Sequence, residues 1–310
     1  TKQQGQQQYT SVAEPPEWQF ARACEEYGLR IDGPIEAGRL VRCTVHDKRH
    51  STQKPGWYLF HGVDLHTGFA VGHYGDWRHG SAIKWCNRDP AELSADDRRH
   101  LQAAEQAARA QREAEQADRH QQAAWRAAKM WGAAAPATEA HPYLQAKQIP
   151  AVGVRELSGW LLIPLQDAQG LVHNLQRIDA RGQKLFLPGG RVRGLFHLVG
   201  AIEADRPLYL CEGFATGAAI HNATGHPVAC AMSANNLVPV AEALRQQHPA
   251  VALVVAADND WRTEGNPGMR YAAEAARKVA AALTWPTVCK LEGCACTDFA
   301  DTATCGRAPA

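Results

Sequence analysis

The chain has 310 residues, 45% apolar and 21% charged, with a formal charge of +1. That length and composition suit a folded protein with room for two domains and exclude a disordered chain, while near-neutrality excludes overall basicity as a sign of nucleic-acid binding and leaves room for a local basic patch. No run approaches the roughly 20 apolar residues that span a bilayer. The opening TKQQGQQQYTSVAEPP has no signal core, and nine cysteines without an export signal read as reduced thiols, so a cytoplasmic location is expected.

In chain order, residues 1–30 read as a polar, Gln-rich arm followed by a helix, PEWQFARACEEYGL, that Gly28 ends. Residues 31–90 carry short alternating runs (RLVRCTV, GWYLFHGV, FAVGHY) between Gly, Pro and Asp, which predicts a small β-rich module. Residues 91–135 form a connector. Its core, 92–131, lacks Gly and Pro and is rich in Ala, Gln, Arg and Glu, so one long helix is expected. With almost no large apolar residue between Leu101 and Trp125, it is expected to be a solvated connector.

Residues 136–205 turn β-like again, with GWLLIPLQDAQGLVHNLQRID holding a Gly-centred turn between two apolar runs. From 206 to 310 the pattern is strand PLYLC, helix ATGAAIHNAT, strand PVACAM, helix LVPVAEALRQQ, strand AVALVVAA, helix GMRYAAEAARKVAAAL and strand TVCKL. Apolar runs alternating with helix-length patterns predict an α/β fold with a parallel sheet.

In such sheets functional groups gather at the C-terminal strand ends. Glu212 follows LYLC, with Gly213 after it expected to allow a tight strand-to-helix turn. Asp258 and Asp260 follow AVALVVAA at a spacing that sends both side chains to one side of an extended segment. A cluster of carboxylates with no basic partner in sequence is costly unless a cation neutralises it, and hard divalent ions take oxygen ligands, so this pattern points to metal-dependent phosphoryl transfer. The competing reading has the aspartates capping a turn and Glu212 in a surface ion pair.

These same residues carry a resemblance. LYLCEGFATG followed by VVAADND resembles the Toprim domain, with its Glu-Gly after one strand and Asp-x-Asp after a later one. The resemblance implies a Rossmann-like sheet in which Glu212, Asp258 and Asp260 surround catalytic Mg²⁺ or Mn²⁺. TDFAD is similar to the last acidic motif of plasmid-type Toprim primases, which makes Asp298 a further metal ligand and Asp301 a weaker candidate. LIPLQDAQGLVHNLQRIDARGQKLFLPGGRVRGLFHL resembles the basic subdomain that precedes Toprim in bacterial-type primases. The helical connector, HPYL and the N-terminal module GWYLFHGVDLHTGFAVGHYGDWRHG are similar to plasmid and phage primases, so the resemblance covers most of residues 30–300.

Arg177, Arg181, Lys184, Arg191 and Arg193, interleaved with Gly182, Gly189, Gly190 and Gly194, form the mixture that a phosphate-binding surface uses; a solvated hairpin is the alternative on composition alone. The resemblance favours template or nucleotide binding, with Arg177 and Lys184 foremost. Trp57, Tyr58, Phe60, Tyr74, Trp77 and Trp85 could stack on bases or build the core of the module, and Trp77 with Arg78 are the candidate template contacts.

Related primases often begin with a zinc ribbon. Here only Cys43 and His46 are spaced as a ligand pair, Cys86 stands alone, and His50, His61, His66, His73 and His79 lack ligand-like pairing, so the module reads as degenerate and zinc is not expected. Cys289, Cys294, Cys296 and Cys305 are read as core or incidental cysteines, because C-x-C spacing is unusual for structural zinc and Cys289 lies in an expected strand.

The combined expectation is a mobile-element DNA primase that makes short RNA primers on single-stranded DNA from nucleoside triphosphates. A Toprim nuclease and a non-catalytic nucleic-acid-binding module are the alternatives. No G-x-x-x-x-G-K-[ST] sequence occurs, and both ends read as cut from something longer, so a helicase motor is expected on a separate chain or a missing portion.

Overall fold

The computed structural model describes residues 14–46, 54–65, 67–77, 81–89 and 94–306. The chain folds as two compact units, Thr1–Glu115 and Gln116–Ala310.

In the first unit, α1 (Pro16–Glu26) has proline at its first turn, where a missing N–H costs nothing, and buries Phe20 and Cys24 one helical turn apart. Phe20 packs so tightly on Gly72 that a Cβ there would lie 2.2 Å from the ring. The sheet beneath is an antiparallel meander, β1 (Leu29–Arg30), β2 (Leu40–Val45), β3 (Gly56–Val63), β4 (Ala70–Asp76) and β5 (Ser81–Cys86), paired in chain order. Tyr58, Phe60 and Tyr74 are buried in one core cluster with Trp85 packed against it, and Trp57 is buried in another with Leu40 and Leu59. For these aromatics the structural role wins over base stacking.

α2 (Ala95–Ala133) starts in the first unit and ends in the second. Its start is a reciprocal cap: the Asp97 N–H donates to Ser94 Oγ at 3.1 Å while the Ser94 N–H donates to Asp97 Oδ2 at 3.1 Å. Its last turns depart from the expected solvated connector. Ala123 and Ala127 are fully buried, and Ala127 joins Leu162, Leu175 and Leu187 in one cluster. The small side chains of this stripe let the helix approach the sheet closely, and Met130 and Trp131 from the same helix end pack on the cluster beside them.

The second unit contains two sheets. One is antiparallel, in the order β10 (Lys184–Phe186), β9 (Val172–Ile178), β8 (Trp160–Gln166), β7 (Arg155–Leu157), β6 (Ala135–Pro136); α3 (Pro142–Lys147) precedes β7 in the chain. The other has the order β11 (His197–Val199), β13 (Val228–Cys230), β12 (Leu208–Cys211), β14 (Leu253–Ala256), β15 (Ala282–Thr284) and is parallel except for the edge strand β11. It is covered on both faces. Leu208 and Leu210 of β12 pack in the cluster that holds residues of α5 (Leu237–Gln247) and α6 (Pro267–Lys278), whereas Cys211 faces α4 (Phe214–Thr224) and α7 (Phe299–Thr304). This is the period-two alternation of a buried strand. α4 lies close to the sheet because Gly217 has no side chain; a Cβ there would sit 2.2 Å from Cys230 Sγ.

One expected strand is misplaced. TVCKL is irregular, and the edge strand β15 is the preceding Ala282–Thr284. α6 ends at Lys278, and Ala280, at φ 50°, turns the chain back toward β14 before the β-branched residues are reached. No helix among the described residues is long and apolar enough to cross a membrane.

Candidate metal centre

Neighbouring strands bring the acids together. β12 and β14 pair in parallel with Cys211 opposite Ala256, so Glu212 and Asp258 leave adjacent strand ends on the same edge of the sheet. Asp298 reaches that edge from elsewhere: the Asn259 N–H donates to the Thr297 carbonyl at 2.6 Å, tying the residue after Asp258 to the residue before Asp298. Asp298 then caps α7, its Oδ1 accepting from the Asp301 N–H at 2.7 Å.

Asp260 is held by a tight turn. Its Oδ2 accepts from the Gly268 N–H at 2.9 Å, at the first turn of α6. A Cβ on Gly268 would lie 2.5 Å from the Asp258 carbonyl and 2.9 Å from Asp260 Oδ2, so only glycine lets the helix approach the acidic loop. Asn266, in the left-handed region at φ 40°, caps α6 and donates to Asn259 Oδ1 at 3.0 Å. Gly213 differs from expectation. Its φ of −108° suits any residue, and a Cβ there would meet only Thr216 Oγ1 at 3.9 Å, so the turn itself does not demand a glycine.

The electrostatics are those of crowded carboxylates short of countercharge. Burial, followed by the charges of Glu212, Asp298 and Asp260, pushes Asp258 up to about 8, with Lys184 opposing. Glu212 is raised by burial and then by Asp260, against the Ala234 N–H and Lys184; Asp298 is also raised, chiefly by burial. Asp258 Oδ1 is buried with no hydrogen-bond partner. An orphaned buried oxygen among several oxygen donors of one sign fits a hard divalent cation.

Asp301 is engaged otherwise. Its carboxylate pairs with Lys147 at 2.9 Å and accepts from the Thr297 N–H at 3.3 Å.

Of the basic residues, Lys184 on β10 is exposed and close enough to act electrostatically on Glu212 and Asp258, and it lies 5.9 Å from the Tyr143 ring centroid. Arg177 on β9 stacks over Trp160 at 5.2 Å. Arg191 and Arg193 lie on the loop between β10 and β11, where Arg193 is exposed and Arg191 borders a groove with His120, Trp125 and His173. That loop is anchored by a residue sequence reasoning missed. The buried amide of Asn236 donates to the carbonyls of Val192, Leu195 and Ala231 and accepts from the Gly194 N–H at 2.8 Å. The polar SANN segment before an apolar helix was its only signal.

In the first unit Trp77 packs beside Trp57, Leu40 and Leu59, with Arg42 over its ring at 5.1 Å. Arg78, His50, His66 and His79 lie outside the described residues. Cys43 is buried in the core, which pushes its thiol up to about 11.

The C-terminal cysteines overturn an expectation. Cys289 lies in an irregular segment instead of a strand, and its sulfur is within 4.8 Å of those of Cys294 and Cys305. Cys296 Sγ is 3.1 Å from Cys294 Sγ.

The Toprim domain family model matches residues 207–306, the segment with Glu-Gly after one parallel strand and Asp-x-Asp after its neighbour. Beyond that domain, the chain is 34% identical over 295 residues to DNA primase TraC of Escherichia coli, a match covering 89% of this chain and 27% of that protein. A second DNA primase TraC of Escherichia coli is 32% identical over 287 residues, covering 87% of this chain and 19% of that protein. The chain spans less than about a third of the length of the curated relatives it matches. Among solved structures, the primase fragment of the bacteriophage T7 primase-helicase protein aligns with a TM-score of 0.39 and 14% identity, covering 52% of this chain and 68% of that one.

Proposed function

We propose that the chain is the catalytic region of a DNA primase of a plasmid, phage or integrative element, synthesising short RNA primers on single-stranded DNA in the cytoplasm. The observation that carries this reading is the convergence of Glu212, Asp258, Asp260 and Asp298 on one edge of the sheet, within a chain similar to DNA primase TraC over 89% of its length. These four carboxylates would hold Mg²⁺ or Mn²⁺. Once bound, the cation supplies positive charge at the reacting phosphate oxygens and the primer 3′ hydroxyl.

The chain's own groups do the rest. Asn259 and Gly268 fix the Asp258–Asp260 loop, so the ligands are set before substrate arrives. Lys184, beside the acids, meets the triphosphate of the incoming nucleotide, while Arg177, Arg191 and Arg193 grip template or nucleotide phosphates. In this scheme residues 31–90 are a template-binding module using Trp77 and Arg78, 91–135 a connector, 136–205 the basic subdomain and 206–310 the metal-binding domain. A replicative helicase on a separate chain is the proposed partner.

The test is incubation with single-stranded DNA, Mg²⁺ or Mn²⁺ and labelled nucleoside triphosphates. Short labelled primers that vanish in Asp258→Ala and Asp260→Ala are expected. Shortened template without primer would replace this reading with a nuclease, and template retention with neither product would replace it with a binding module.

A further inference from the structure

We infer that Cys289, Cys294, Cys296 and Cys305 form a structural zinc site that pins the segment carrying Asp298 against the acidic loop. The geometry comes first. Tetrahedral thiolates about 2.3 Å from zinc stand roughly 3.8 Å apart. Cys294 and Cys305 are 3.7 Å apart sulfur to sulfur, and Cys289 lies within 4.8 Å of both. Cys296, 3.1 Å from Cys294 but outside the trio of sulfurs that lie within 4.8 Å of one another, supplies the fourth position after a small shift of its side chain. None of these sulfurs is within the roughly 2.05 Å of a disulfide, and all four cysteines are free thiols.

The backbone is shaped for such a site. Between Cys289 and Cys294 the chain reverses through Lys290 at φ 53° and Gly293 at φ 77°, closed by the Cys294 N–H donating to the Leu291 carbonyl at 3.1 Å. This tight turn returns the second sulfur to the first. Cys305, at the end of α7, comes from a separate element, so the site would cross-link two parts of the chain.

An independent observation asks for a cross-link. Residues 285–298 contain no helix or strand, and only Pro286, Val288 and Cys296 in that stretch are buried, while Trp285 and Leu291 are exposed. Irregular segments of that length with so little buried apolar surface are uncommon in compact domains without another tie. Yet this segment has positional work to do: its Thr297 carbonyl accepts from the Asn259 N–H, its Cys296 carbonyl accepts from Trp261 Nε1 at 3.3 Å, and it delivers Asp298. Loading zinc displaces the thiol protons to solvent and leaves a site of net negative charge. Lys290 and Arg262 lie beside it, Arg262 donating to the Leu291 carbonyl at 3.4 Å.

The experiment uses the full chain purified under reducing conditions without chelator. Elemental analysis is expected to find about one zinc per chain. Replacing it with cobalt should yield the strong visible bands and thiolate charge-transfer absorption of a tetrahedral sulfur site in the unmutated protein. Cys289→Ser with Cys305→Ser should abolish both, whereas Cys43→Ser with Cys86→Ser should leave both. The inference is overturned if the unmutated chain holds no zinc after reconstitution against a competing chelator, if its cobalt spectrum is weak and octahedral, if peptide mapping finds these thiols in a disulfide, or if zinc survives in the Cys289/Cys305 variant. Because these readouts do not depend on activity, they separate failure of the zinc site from failure of the primase reading.

Discussion

Asp258→Asn should make the protein more stable while removing a ligand of the proposed metal site. Raising this carboxyl from its ordinary 3.8 to about 8 makes its charged form in the fold costlier by ~6 kcal/mol, at about 1.36 kcal/mol per pKa unit. The native state then binds a proton more tightly than the unfolded chain. Stability is therefore fully present below about pH 4 and is lost as pH rises through 8. Asparagine carries no charge at any pH, so its advantage should be absent at pH 4, grow with pH and level off above 8. Neighbouring acids also relax when one charge leaves, and we expect a gain of about 2 kcal/mol or more at pH 8.5, or ~5 °C in melting temperature for a unit of this size. Saturating Mg²⁺ should stabilise the unmutated chain and leave the variant unmoved. Thermal melts at pH 4, 7 and 8.5, with Mg²⁺ or with chelator, read all of this. A variant less stable at pH 8.5, or a difference independent of pH, would refute the electrostatic reasoning.

The other predictions concern the supports of the site. Gly268→Ala should cost about 1–3 kcal/mol through its clash with Asp258 and Asp260 and lower primer synthesis by ~10-fold or more, checked by denaturant titration and product gels. Lys184→Met removes the cation that opposes the rise of Glu212 and Asp258; the pH at which Mn²⁺ binds half-maximally should move upward, and nucleotide KM should rise ~10-fold, measured by titration calorimetry and initial rates. Asn236→Leu strands the carbonyls of Val192, Leu195 and Ala231 and should cost about 2–3 kcal/mol, with faster amide exchange at Gly194.

Much of the parallel-sheet region was legible because burial on both faces leaves continuous apolar runs, as in LYLC and LVVA, and because acids directly after such runs stand at strand ends. What was hidden depends on packing between distant residues. The strand Ala-Leu-Thr of β15 has little β-propensity of its own and follows α6 with no proline or glycine to mark the break, so TVCKL, richer in β-branched residues, looked the better strand. The buried stripe of Ala123 and Ala127 is invisible to hydrophobic periodicity, since alanine is abundant throughout α2. Asp298 could be suspected from its motif, but its neighbourhood with Asp258 rests on bonds between distant residues, such as those from Asn259 to Thr297 and from Trp261 to Cys296. The proximity of Cys289, Cys294 and Cys305 was hidden for the same reason: spacing along the chain says little when a turn at Gly293 and the end of α7 bring the sulfurs together in space.

Crystals of the chain grown with Mn²⁺, a nucleoside triphosphate and a short single strand of template would test the central claim most directly. The account predicts anomalous manganese density coordinated by Glu212, Asp258, Asp260 and Asp298, with the triphosphate beside Lys184. Manganese bound elsewhere while these four carboxylates contact neither metal nor nucleotide would contradict it.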